Sequence, residues 1–308
     1  MQSMNLEAAR LMKRATYAST ATAIILILAK LAAWLWTDSV SILATLIDSC
    51  LDALASLVNL LAVRHALEPA DKEHRFGHGK AESLAGLGQA TFIAGSAGFL
   101  LLEAVGRFFH PQAVSVISVG IAVMAFSIVA TFVLLAIQRH VIQKTGSMAI
   151  RADSLHYTTD VLVNGSVIAA LLLATYGWPG FDPVFAIGIG IYILYSAWHI
   201  AREAIQHLMD RELPDEDRRR IHQIVLGQKH VKGMHDLRTR RSGTTAFIQL
   251  HLELDNNLPL LHAHAIADAV EARIRKAYPD SEVIIHEDPA SLMEPKVAFD
   301  EDTNPSGS

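Results

Sequence analysis

Cysteine is almost absent. Cys50 is the one thiol among 308 residues, which excludes an internal disulfide and any zinc site built from several thiolates. Charge is also sparse: 19% of residues are charged, against 51% hydrophobic. A soluble domain carries about 25% charged residues. The mean hydropathy of +0.30 agrees with a chain that lies partly in a lipid bilayer. A net charge of -5 offers no basic face for nucleic acid. No H-E-x-x-H helix occurs, so the usual zinc-hydrolase motif is missing. A cleavable signal peptide is not expected: the first apolar run is too long for one and follows Arg10, Lys13 and Arg14. Histidine, by contrast, is plentiful at 15 residues, and its placement carries most of the information.

Six apolar runs reach the roughly 20 residues a membrane helix needs. They are estimated at 16–36, 39–63, 84–109, 113–138, 148–175 and 181–206. Lys and Arg fall before the first run, between the second and third, and between the fourth and fifth. The other loops, around Thr37-Asp38, His110-Pro111-Gln112 and Tyr176 to Asp182, have none. Basic loops stay cytoplasmic, so both termini are expected inside. A soluble composition follows. Acids after Pro214 open a helix, two strands flank Ser242-Gly243, an amphipathic helix covers 259–277, and a third strand is centred on Val283-Ile284-Ile285. The expected fold is a six-helix α transmembrane domain over 1–210, then a small cytoplasmic α+β domain over 211–290. The order αββαβ suits an open sandwich of ferredoxin or metallochaperone type. Residues 291–308 read as a disordered acidic tail.

Polar residues inside the apolar runs are the main clue. Asp48 and Asp52 lie four apart in the second run, and His156 and Asp160 four apart in the fifth, so each pair shares a helix face. An ionised Asp at a bilayer centre costs roughly 2.5–3.5 kcal/mol even on the lenient insertion scale. The two runs cross in opposite directions and bring the pairs to similar depth. Three carboxylates and one imidazole suit a divalent metal such as Zn2+, with Cd2+, Fe2+ or Mn2+ as alternatives. Lys30 lies nearer the outer end of the first run and is not an obvious counter-ion. Asp71, His74 and His78 form a D-x-x-H-x-x-x-H pattern in the second–third loop, a weaker signal for a three-ligand site. In the soluble part, adjacent strands can gather His235, His251, His286 and Asp288 at one edge, with His264 on the second helix. One bridging Asp and four histidines would suit two zinc ions. Lys80 and Asp210 are either an ion pair or two solvated charges, and spacing alone favours the latter. His65 and the remaining histidines show no partner pattern and read as interfacial or surface residues.

Together, D-S-C-L-D in the second run, H-G-K-A-E opening the third, H-Y-T-T-D in the fifth and a histidine-bearing αββαβ domain resemble the cation diffusion facilitator family. The resemblance covers nearly all of 10–290. It implies a homodimeric metal/proton antiporter of the bacterial inner membrane that exports Zn2+, with Fe2+ or Cd2+ as other cargoes. It implies a transport site at Asp48, Asp52, His156 and Asp160, and a loop site at Asp71, His74 and His78. The cytoplasmic binuclear zinc site would be His235, His251, His264, His286 and Asp288. Lys80 with Asp210 would form a charge interlock, and Leu155 a hydrophobic gate. Protons and metal would compete for the same groups, His156 foremost, because an imidazole ordinarily titrates near pH 6.5. The competing expectations are an intramembrane hydrolase, a passive divalent-cation channel and a sensor that transports nothing.

Overall fold

The computed structural model describes residues 2–109, 118–175 and 182–291. The expected outer loops, at 110–117 and 176–181, and the expected disordered tail beyond 291 lie outside the described residues. The chain divides into two compact units, Ser3–Leu208 and one beginning at Met209.

The first unit holds α1 (Gln2–Thr37), α2 (Val40–Ala66), α3 (Lys80–Phe109), α4 (Ser118–Thr145), α5 (Met148–Thr175) and α6 (Asp182–Leu208). Five of these are long and apolar enough to cross a membrane; α5 does not meet that measure. All six expected runs form helices, yet α5 falls short of that measure. The reason is that α5 carries Arg151, Asp153, His156 and Asp160. It tolerates them because it is an inner helix: no residue from 151 to 169 is exposed, and α5 packs against α2, α3, α4 and α6. Intramembrane charges are sustained where they face protein rather than lipid.

Small residues allow the tight packing. Ala90, Ala97, Ala152, Ala197 and Ala204 share a core with Ile93, Leu155 and Ile193 across α3, α5 and α6. Gly190 of α6 is needed where α3 approaches, since a Cβ there would lie 2.7 Å from the Leu101 side chain.

Two buried polar networks fix α5 in place. The Tyr157 hydroxyl lies 2.9 Å from Ser56 Oγ of α2 and donates to the Ser19 carbonyl of α1 at 3.3 Å. Ser19 and Ser56 hydroxyls are 3.0 Å apart. Asp153 accepts from Gln89 of α3 at 3.2 Å and from Gln138 of α4 at 2.7 Å. Polar groups sealed from water must be hydrogen-bonded, so these contacts set which face of α5 meets α2.

The second unit runs α7 (Asp215–Leu226), β1 (Gly233–Ser242), β2 (Thr245–Leu254), α8 (Leu260–Ala277) and β3 (Ser281–Pro289). β2 is central, antiparallel to β1 and parallel to β3. Its alternating residues Ile248, Leu250, Leu252 and Leu254 pack on Ile221 and Val225 of α7 and Val270 and Ile274 of α8. Each buried aliphatic side chain contributes about 1.5–3 kcal/mol. The period of two sends Gln249, His251 and Glu253 to the opposite face. Both helices therefore cover one face of the sheet and leave the other open.

Candidate functional site

α2 and α5 supply the intramembrane cluster. Asp52 lies 12 residues into α2, roughly 18 Å along its axis, and Asp160 the same distance into α5. Each helix is about 40 Å long by the same rise, so both groups are near its middle. One ligand atom from each of Asp52, His156 and Asp160 falls within a common 4.8 Å. His156 Nε2 is 2.9 Å from Asp52 Oδ1, an ion-pair contact, and this buried nitrogen has no other hydrogen-bond partner among the described residues. Asp48 is exposed and is not in that set of three. Lys30 departs from expectation. Its long side chain reaches α2, donating to Ser49 Oγ at 2.6 Å and the Thr45 carbonyl at 3.1 Å, within electrostatic range of Asp48, Asp52 and Asp160. Leu155 is buried in the core shared by α3, α5 and α6.

The loop between α2 and α3 is folded around Asp71. Its Oδ1 accepts from the backbone amides of His74 at 2.6 Å and Glu73 at 2.9 Å. Those amides, His74 first, hold the Asp71 carboxyl below the usual carboxylate range. His74 Nδ1 lies 3.6 Å and His78 Nε2 3.4 Å from the same carboxylate. Asp71, His74 and His78 thus come together as one potential ligand set. Gly77 adopts φ +77°, a left-handed turn that glycine makes without steric cost.

The third cluster sits on the open face of the sheet. Register places His235 beside His251 and His251 beside His286. His251 Nδ1 is 2.7 Å from Asp288 Oδ2, and His235 Nε2 is 3.6 Å from the same oxygen. His286 Nε2 approaches the other oxygen, Oδ1, at 3.2 Å. The buried Asp288 carboxylate therefore presents one oxygen to His235 and His251 and the other to His286. Glu253, not anticipated from sequence, lies 3.0 Å from His235 Nδ1. It reaches there because residue 233 is glycine: a Cβ would fall 2.6 Å from Glu253 Oε2. A β-bulge follows His235, with Asp236 at φ +49°. That turn brings Asp236 Oδ2 to 3.8 Å from His251 Nε2. A cavity of about 160 Å³ opens beside His251 and His286.

His264 is placed differently. On α8 it lies 3.7 Å from both Asp268 and Glu287. Glu287 alternates with His286 along β3, so His264 belongs to the helical face, with the sheet between it and the cluster. Lys80 donates to the Leu208 carbonyl at 3.2 Å, and Asp210 pairs with Arg240 at 3.2 Å.

The donor chemistry is the same in all three places: imidazole plus carboxylate, with a buried imidazole nitrogen that has no hydrogen-bond partner among the described residues. These nitrogens are His156 Nε2, His78 Nδ1 and His235 Nε2. A polar nitrogen sealed from water without a partner is costly, and a metal lone-pair acceptor answers that cost.

An inner helix with potential metal ligands near its middle, together with a small α+β domain carrying a further potential ligand set, suits a polytopic transporter of metal cations. The chain belongs to the cation efflux family. The family's transmembrane domain matches residues 16–209 and its cytoplasmic domain residues 213–290. The chain is 53% identical over 290 residues to the cation-efflux pump FieF of Klebsiella pneumoniae, covering 94% of this chain and 97% of that one. Identity and coverage are the same for FieF of Citrobacter koseri. Among solved structures, the metal-bound C-terminal domain of the CzcD transporter from Thermotoga maritima is 28% identical. It covers 26% of this chain and 93% of its own, with TM-score 0.25. The protein is a multi-pass cation-efflux transporter with a cytoplasmic C-terminal domain, and not an enzyme.

Proposed function

We propose that this protein exports Zn2+ from the cytoplasm across a bacterial inner membrane in exchange for protons, working as a homodimer. Fe2+ and Cd2+ are alternative cargoes with the same ligand preference. The observation that carries this reading is the set of Asp52, His156 and Asp160, gathered near the middle of α2 and α5 around a buried imidazole nitrogen without a hydrogen-bond partner among the described residues. The relatives named cation-efflux pumps, at 53% identity, support the direction of transport.

Histidine and aspartate bind metal only when deprotonated. The site therefore takes up metal while releasing protons to the cytoplasm, and takes up protons while releasing metal outside. Asp48, one turn further along α2, joins when the helices shift toward the metal-bound arrangement. α3 and α6, the most extensively packed pair of helices, move as one body against the others. Leu155, within that packing, closes the path between openings.

On the cytoplasmic sheet, the two-sided Asp288 bridges two zinc ions. One ion is held by His235 and His251 and the other by His286. His264 reaches such a cluster only from a second copy of the chain, because its own sheet intervenes. Zinc bound there ties the domain's strands together. The loop set of Asp71, His74 and His78 takes a further ion. Lys80 and Asp210 keep the role of a charge interlock.

Zinc flux into proteoliposomes with and without an opposing pH gradient tests the reading. The wild type should move zinc against its gradient when protons run the other way, and Asp52→Ala should not move it at all. Zinc that only runs downhill, whatever the pH gradient, would mark a passive channel. Full flux in Asp52→Ala would remove the site from the transport path.

A further inference from the structure

The α2–α3 loop holds a second ligand set that uses residues outside the Asp71–His74–His78 pattern. His65 lies in the last turn of α2, and Glu68 follows the helix end. His65 Nδ1 and Glu68 Oε2 are 2.8 Å apart. The His65 ring centroid is 4.4 Å from that of His78, slightly nearer than His74 at 4.7 Å. One ligand atom from each of His65, Glu68 and His78 falls within a common 4.8 Å.

We propose that His65, Glu68 and His78 form a second divalent-cation site that shares His78 with the Asp71–His74 set.

Three observations converge on it. The donors are two imidazoles and one carboxylate, which leave a fourth position for water around a Zn2+-type ion. His78 has a buried Nδ1 with no hydrogen-bond partner among the described residues, while its Nε2 faces Asp71. His65 and Glu68 are half exposed, at 53% and 59%, so an ion reaches them from solvent. The geometry is already tied down: Leu67 N donates to the Val63 carbonyl at 3.1 Å and Glu68 N to the His65 carbonyl at 3.0 Å.

The two sets are alternative seats for one ion, since both require His78. They differ in what they fasten. Asp71 and His74 hold an ion on the loop. His65 and Glu68 hold it on α2, the helix that also carries Asp52. The site shares His78 with the loop site proposed above but does not depend on transport, because binding alone tests it.

Co2+ titration of the full-length protein in detergent, read by its visible ligand-field band, is the experiment. Asp52→Ala, His235→Ala and His251→Ala together silence the other two clusters. In that background one Co2+ should bind the intact loop. Adding Asp71→Asn and His74→Ala should leave one Co2+ bound, about 10–100-fold more weakly, the scale on which losing supporting ligands acts. Adding His65→Ala and Glu68→Gln to that variant should then abolish it. Both of these residues are exposed, so folding should survive, and an unchanged helical circular-dichroism spectrum would show it. Loss of all binding with Asp71→Asn and His74→Ala alone would overturn the proposal. So would residual binding indifferent to His65→Ala and Glu68→Gln.

Discussion

The intramembrane cluster and the cytoplasmic sheet cluster use the same two ligand types and surround them differently. On the sheet, two imidazoles have a carboxylate on the nitrogen that faces away from Asp288. Glu253 lies 3.0 Å from the far nitrogen of His235, and Asp236 lies 3.8 Å from that of His251. Such supporting carboxylates fix the ring orientation and raise affinity. On α5, His156 meets Asp52 itself, another member of its own cluster, and its Nε2 has no other hydrogen-bond partner among the described residues. What holds it is indirect: Tyr157 and Asp153, its neighbours on α5, are locked to α1–α4. A braced site retains its ion. A site held only through its helix can change shape when that helix moves, and a transporter must release what it binds.

The sharpest way to break this contrast is to remove one imidazole from each cluster. His156→Ala should abolish zinc flux in proteoliposomes and leave the zinc-dependent thermal midpoint of the cytoplasmic domain unchanged. Wild-type flux would show that the intramembrane set is structural. His251→Ala should do the reverse. An ion at 100-fold above its Kd contributes about 2.7 kcal/mol, so zinc should raise the wild-type midpoint by about 10 °C or more for a domain of this size. Calorimetry should show that rise lost in the variant, with the initial flux retained.

Smaller changes sharpen the comparison. Glu253→Gln keeps every ligand and weakens one brace, so cytoplasmic zinc affinity should fall about 10–100-fold by calorimetric titration. An unchanged affinity would mean that bracing is not what separates the two sites. Tyr157→Phe removes the hydroxyl that ties α5 to α1 and α2. It should cost about 1 kcal/mol, seen as a lower denaturation midpoint and slower flux with the ligands intact.

The smallest effect concerns Asp71. Backbone amides lower its pKa in the folded loop. Its ionised form is therefore the one the fold favours. That contribution is fully present above the unfolded value of about 3.9 and fades only as pH falls through the lower folded value. A carbon NMR titration should find Asp71 still charged where ordinary aspartates are half protonated. An ordinary midpoint would mean that the His74 and Glu73 amides do not hold it in solution.

Much of this was legible in the chain. Apolar runs located the membrane helices, and alternation along Phe247–Leu254 located the central strand and its two faces. The i,i+4 pairs showed which side of α2 and α5 carries the polar groups. Other features depend on distances across elements, which periodicity does not encode. Asp48 and Asp52 share a face, yet they stand a turn apart, and where the helices cross decides which of them meets His156. His264 has the right chemistry but lies on the wrong side of the sheet within its own chain. His65 looked like an interfacial residue because its partners are one turn away at Glu68 and 13 residues away at His78.

The sequence by itself determined the elements, the membrane domain and the ligand types, because hydrophobic period and the cost of burying charge act locally along the chain. Only the tertiary structure decided which ligands meet and how firmly each is held. Those depend on a glycine that makes room for Glu253, a bulge that turns Asp236, and buried hydroxyls and amides that set α5. Each of these acts through packing between segments far apart in the chain.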